Sequence, residues 1–227
     1  MYEVLTYSLQ FLVFLFSMSV HQYGHVFGAW SMGYSLNKKK VGQVCDPWTL
    51  LVRERFGMVF FPILSIWAYG VPLGYSGLPI DAKWAEKNPR RVSLVALSGV
   101  LGNLALLLIS LALVKLCAYL DFLHLSGEFG FYSWISGNGG LASGTCAMIL
   151  ASFLWVNLCQ FFFSLLPVPP LDGFICLGFL WKHNNFKSLR NMLSQPIGSI
   201  LLLSFSLQFI PAFAPKFFEF VWLKFFV

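Results

Sequence analysis

Val20-His21-Gln22-Tyr23-Gly24-His25 stands near the end of an apolar run that starts at Val4 and stops at Met32. A run of that length, rich in Phe, Leu and Val, is long enough for a membrane-crossing helix, which takes roughly 20 apolar residues. Ionisable side chains inside such a helix are costly and by default mark a functional site. On a helix, residues four apart share one face, so His21 and His25 can hold one ion together. Imidazole nitrogen suits zinc, and a catalytic zinc site needs three protein ligands with one position left open. Two satisfied helix histidines are the plain alternative, yet these are two of only four histidines in the chain.

The rest of the sequence agrees with a membrane setting. Of 227 residues 58% are hydrophobic and 11% charged, against about 25% charged in a soluble domain. The chain has room for about five or six spans and no separate soluble domain. The sequence predicts an all-α polytopic membrane protein, a single unit over residues 1–227. Its core covers about 4–181 and its C-terminal helices 196–227. After the first span, Gly33 to Arg55 is too charged to cross the bilayer and reads as short strands or a hairpin. A second span is expected over Phe56–Leu73, a loop over Gly74–Arg91, and a third span over Val92–Leu120. A loop with Asp121, His124 and Glu128 ends in the flexible turn Ser136–Gly140. A fourth span covers Leu141–Leu166 and stops at Pro167-Val168-Pro169-Pro170-Leu171-Asp172-Gly173. A short helix, Phe174–Trp181, a basic interfacial stretch, Lys182–Arg190, and a last apolar stretch, Pro196–Val227, complete the chain.

The net charge of +6 does not point to nucleic acid. The basic residues fall between apolar segments, where they mark loops at the membrane surface. With four alternating spans, the loop charges lean toward the second and fourth loops being cytoplasmic. The N-terminus has no basic n-region, and its apolar run exceeds a signal h-region. The five cysteines form no CxxC pair and read as small packing residues. His124 and His183 read as ordinary loop residues. Duplicated halves, which many transporters carry, are not visible.

Asp172 is the strongest candidate for a third ligand. Prolines break the helix before it, and irregular backbone at membrane depth is tolerated only in protein or along a water-filled cavity. An interfacial turn, where Asp-Gly is common, is the plain alternative.

The pair HQYGH and LLPVPPLDG resembles the two signature motifs of the site-2 protease family of intramembrane zinc metalloproteases. Gly74-Tyr75, Leu78-Pro79-Ile80, Asn88–Arg91, Val95–Gly99 and Asn103 resemble its short prokaryotic members in the same order, over roughly residues 15 to 180. The resemblance implies membrane helices enclosing one Zn2+, with His21, His25 and Asp172 as ligands. It makes Asn103 similar to the family's assisting asparagine, with helix packing as the other reading. It implies a transmembrane protein as substrate and a prokaryotic plasma membrane as the location.

Three positions depart from the pattern. Ser164 stands where the family often has Asn, and Val100 where many members have Pro. Gln22 stands where the general-base glutamate of HExxH belongs. Its amide keeps the shape but takes no proton, and losing general acid–base catalysis costs about 10²–10⁴ in rate. The expectation is a formed site with little turnover. Either Gln22 traps an otherwise competent enzyme, or the chain is a natural inactive relative that binds or regulates in the membrane. A substrate helix must unwind to be cut, and residues 33–55 offer an expected strand edge for it. A metal-ion transporter and a di-iron membrane oxidase fit less well, for want of further polar residues in the spans and of further histidines.

Overall fold

The computed structural model describes residues 2–77, 79–126 and 134–177, together with 208, 213–217, 219–220 and 224. Leu78, Glu128, His183, the stretch Lys182–Arg190 and most of Pro196–Val227 lie outside the described residues, as does the expected short helix beyond Leu177.

Helix α1 (Tyr2–Ser31) carries the first apolar run. It ends where Gly33 turns left-handed at φ 83°, which lets Tyr34 N–H donate back to Ala29 O at 2.8 Å. Glycine takes this conformation without the Cβ penalty, the usual way a helix is closed. Three described helices are long and apolar enough to cross a membrane: α1, α6 (Pro89–Tyr119) and α7 (Leu141–Leu165). Their facing sides share a core with Phe14, Met18, Leu107, Leu154 and Leu158. Phe16, Phe27, Trp30, Leu108 and Ile109 stay exposed on the outside, as lipid-facing residues do.

The segment after α1 is helical, which corrects the expected strands. It forms α2 (Lys38–Cys45) and α3 (Pro47–Arg53). The caps explain this. Asn37 Oδ1 accepts from Lys40 N–H at 2.8 Å, and Asp46 Oδ2 accepts from Thr49 N–H at 2.7 Å, so each side chain satisfies an otherwise orphaned helix donor. Pro47 sits at the first helical position, where its missing N–H costs nothing. Hydrogen bonds from the Thr49 hydroxyl and N–H hold the Asp46 carboxyl below its ordinary pKa. No strand lies between residues 33 and 55, so that segment offers no edge for a substrate strand. The two strands found among the described residues, β1 (Leu123–Leu125) and β2 (Ile135–Gly137), pair antiparallel between α6 and α7 instead.

The expected second span is also corrected. A π-helical turn, Phe56–Phe60, runs into α4 (Phe61–Tyr69). At about 1.5 Å per residue this covers about 21 Å, short of the ~30 Å hydrocarbon core. Gly70, left-handed at φ 71°, ends it. The chain then folds back along the helix it has just left: Leu73 N–H donates to Ser65 Oγ at 2.8 Å, and Tyr75 N–H to Gly57 O at 3.2 Å. Residues 56–77 therefore enter and leave at one end. The next loop, with α5 (Ala82–Lys87), confirms the placement. Asp81 N–H donates to the Tyr34 hydroxyl at 3.0 Å, Arg91 Nη1 to Met32 O at 3.2 Å, and the Tyr34 and Trp84 rings lie 5.0 Å apart. The loops 33–55 and 74–91 share one end rather than facing opposite sides.

Candidate metal centre

The site sits inside this end. His25 and His21 lie six and ten residues before the end of α1, hence about 9 and 15 Å along it at 1.5 Å per residue. Their rings stand 4.5 Å apart at 89° to one another. Asp172 reaches them from the far end of the chain. After α7, Val168 N–H bonds to Leu166 O and Leu171 N–H to Val168 O, both at 2.8 Å. These tight turns through the prolines reverse the chain and start α8 (Asp172–Leu177) with Asp172 as its first residue. Ser93 of α6 donates to Ile175 O at 3.0 Å and so ties α8 in place.

The three side chains converge. His21 Nε2 lies 3.0 Å from Asp172 Oδ2, His25 Nε2 3.4 Å from Asp172 Oδ1, and the two Nε2 atoms 3.0 Å from each other. All three residues are buried. The partners on the other side of each ring assign the tautomers. His25 Nδ1 faces Val95 O at 2.7 Å; a carbonyl only accepts, so Nδ1 carries the proton. His21 Nδ1 faces Asn103 Oδ1 at 2.7 Å and donates likewise. With this tautomer a neutral ring turns its bare Nε2 lone pair toward the other ring and toward a carboxylate. Electron-rich atoms packed this closely are held either by a proton on one Nε2, which then donates to its neighbour, or by a cation among them. Tetrahedral zinc with ~2.0–2.2 Å bonds sets its ligand atoms roughly 3.3 Å apart, close to the spacings found here. The buried His-His-Asp group can therefore hold a metal ion. Its donor set suits zinc without being unique to it.

Gln22 follows His21 directly. Its side chain is fully buried, and neither amide atom has a hydrogen-bond partner. An amide buried without partners costs several kcal/mol, roughly 2–7 by transfer measures.

Asn103 is placed behind His21, with its oxygen committed to that ring and its Nδ2 donating to Asn157 Oδ1 at 3.2 Å. Val100 is buried in the same helix. Ser164 Oγ accepts from Gln160 Nε2 at 3.1 Å. His124 lies exposed on β1. The cysteines of the described residues are free thiols.

Sequence reading missed Asn157 and Gln160. Gln160 holds the returning segment by both ends of its amide: Nε2 donates to Gly74 O at 2.7 Å, and Oε1 accepts from Gly74 N–H at 3.2 Å. That bond satisfies backbone which lipid could not. The available signal was two large polar amides three residues apart in an otherwise apolar α7.

Fold and site together define a helical protein whose three apolar helices enclose a buried group able to bind a metal. No family model matches the chain, and no match is found among curated proteins or solved structures.

Proposed function

We propose that the chain is an intramembrane metalloprotease-type protein that holds one zinc ion and acts on transmembrane helices, with turnover suppressed by Gln22. The observation that carries this reading is the convergence of His21, His25 and Asp172 below the end of an apolar helix, with the unpartnered Gln22 amide next in the chain. Zinc bound in such a set supplies Lewis-acid polarisation of a peptide carbonyl and activation of water. The chain's own residues do the rest. Val95 O and Asn103 Oδ1 orient the two imidazoles. The Asp172 carboxylate supplies negative charge in a low-dielectric interior. The apolar walls of α1, α6 and α7 limit access of bulk water. Gln22 can donate or accept a hydrogen bond at the reacting group but cannot take its proton.

Gln22→Glu tests the reading. Cleavage of a membrane-embedded helical peptide is expected to rise by about 10²–10⁴ and to vanish again when His21→Ala is added. A folded, zinc-loaded Gln22→Glu protein with no cleavage would defeat the enzyme reading and leave a metal-holding binding protein.

The shared end of loops 33–55 and 74–91 supports one orientation in the membrane. Lys38, Lys39, Lys40, Arg53, Arg55, Lys83, Lys87, Arg90 and Arg91 gather at the metal end and outnumber Asp46, Glu54, Asp81 and Glu86. Basic loops stay on the cytoplasmic side, so this end faces the cytoplasm of a plasma membrane and the β1–β2 end faces away. A cysteine at Gly42, where a Cβ meets nothing within 4 Å, is expected to take an impermeant maleimide only in inverted vesicles. One at the exposed Leu141 is expected to react only from the other side. The opposite labelling pattern would reverse the assignment.

A further inference from the structure

Asn157 touches neither histidine nor Asp172, yet it closes a hydrogen-bond chain that ends on a ligand ring. Its Nδ2 donates to Phe153 O at 2.9 Å, one turn back in α7. A carbonyl only accepts, so this bond assigns the Asn157 amide: nitrogen toward Phe153, oxygen toward α6. Asn157 Oδ1 then accepts from Asn103 Nδ2 at 3.2 Å, and Asn103 Oδ1 accepts from His21 Nδ1 at 2.7 Å. Both asparagines are fully buried, so water does not offer either amide another partner.

The polarity of this chain matters at its far end. An asparagine amide has nearly the same shape either way round, and its two ends differ only in donating or accepting. A reversed Asn103 would aim Nδ2 at His21 Nδ1. The ring would then have to accept there and carry its proton on Nε2, the atom that faces His25 and Asp172. A protonated Nε2 has no lone pair for a cation. Partners behind a metal-bound histidine set its tautomer and orientation in this way.

We propose that Asn157 is a positioning residue that locks the Asn103 amide in one of its two orientations and so keeps the His21 Nε2 lone pair available to a metal. The inference rests on the metal-centre reading above. A plain interhelical amide pair joining α6 to α7 would need no particular polarity, and this difference sets the test.

Zinc affinity of the full chain in lipid nanodiscs is measured by competition with a chromophoric chelator. Asn157→Leu is expected to weaken zinc binding about 10–100-fold. Adding Asn103→Asp to that variant is expected to recover most of the loss, because a carboxylate accepts at both ends and cannot present a donor to His21. Asn157→Asp, whose protonated carboxyl can donate to Phe153 O while its other oxygen accepts from Asn103, is expected to bind close to the parent. Should Asn157→Leu fail to fold, Asn157→Ser takes its place, since its hydroxyl is too short to reach Asn103. Unchanged affinity in a folded Asn157→Leu or Asn157→Ser protein overturns the proposal, as does the absence of recovery by Asn103→Asp. A parent chain that binds no zinc, with His25→Ala no different from it, overturns the metal-centre reading itself. A parent that binds one ion while the Asn157 variants bind equally well removes only the positioning role.

Discussion

Asp172→Ala is expected to leave the long helices folded and the chain without bound metal. Asp172 contributes the one formal negative charge among three buried groups whose ligand atoms lie within 4.8 Å of one another. With both imidazoles neutral, its loss leaves a divalent ion facing two uncharged donors in a low-dielectric interior, where an uncompensated charge is strongly disfavoured. The loss of affinity should exceed the ~10–100-fold that removing a supporting hydrogen bond costs. Elemental analysis of purified protein is expected to fall from about one zinc per parent chain to a trace. Stability supplies an independent check. A ligand present at ~1,000 times its dissociation constant stabilises the folded state by about 4 kcal/mol, so a chelator should lower the parent's melting temperature. The same chelator should not move that of Asp172→Ala. Helix content by circular dichroism should change little, because Asp172 begins a six-residue helix and no long one. Near-stoichiometric zinc in folded Asp172→Ala would defeat the ligand assignment.

What could be read from the chain alone divides along physical lines. The His21–His25 pair was legible because a four-residue spacing fixes a shared helical face whatever the tertiary structure does. Asp172 was legible as a candidate because three prolines and a glycine around an acid are out of place at the end of an apolar run. Its distance to the rings was not legible, because it depends on two tight turns that reverse the chain after α7. The helices α2 and α3 are written in their caps, Asn37 and Asp46-Pro47, whereas the charge density of the segment says only that it does not cross the bilayer. The re-entrant course of residues 56–77 turned on length. A helix of about 21 Å falls short of a bilayer core, and Gly70 marked its end, but the apolar residues after it masked the turn. Asn157 and Gln160 stand three residues apart in α7, but that spacing does not say what either amide meets. Their meaning lies in Asn103 and Gly74, which are 54 and 86 residues away.

Gly99→Ala is expected to disable the centre by packing alone, against the direction of helix propensity. Inside α6 an alanine favours the helix by about 0.8–1.0 kcal/mol over glycine. The added methyl, however, would meet the Cε1, Nε2 and Nδ1 atoms of the His25 ring. That ring has little freedom to yield. Its Nδ1–H is bonded to Val95 O, one turn earlier on the same helix as Gly99, so the methyl and the hydrogen bond compete for its position. Either the ring leaves the Val95 carbonyl and its Nε2 turns away from His21 and Asp172, or α1 and α6 part. Overpacking of a buried contact costs about 1–3 kcal/mol, and zinc affinity should fall by at least the ~10–100-fold seen when a ligand's support is lost. Two other glycines provide the scale. A methyl at Gly102 would meet Val20 O at 3.1 Å and His21 Cα at 3.3 Å, contacts that shifts of a few tenths of an ångström relieve. Gly102→Ala should therefore cost less in affinity than Gly99→Ala. A methyl at Gly144 meets nothing within 4 Å, so Gly144→Ala should leave zinc binding alone and show the propensity gain as a higher melting temperature. Propensity acts alike on all three positions, so the ranking reports only what lies opposite each Cβ. Gly99→Ala binding zinc as tightly as Gly144→Ala would mean that His25 does not stand against α6.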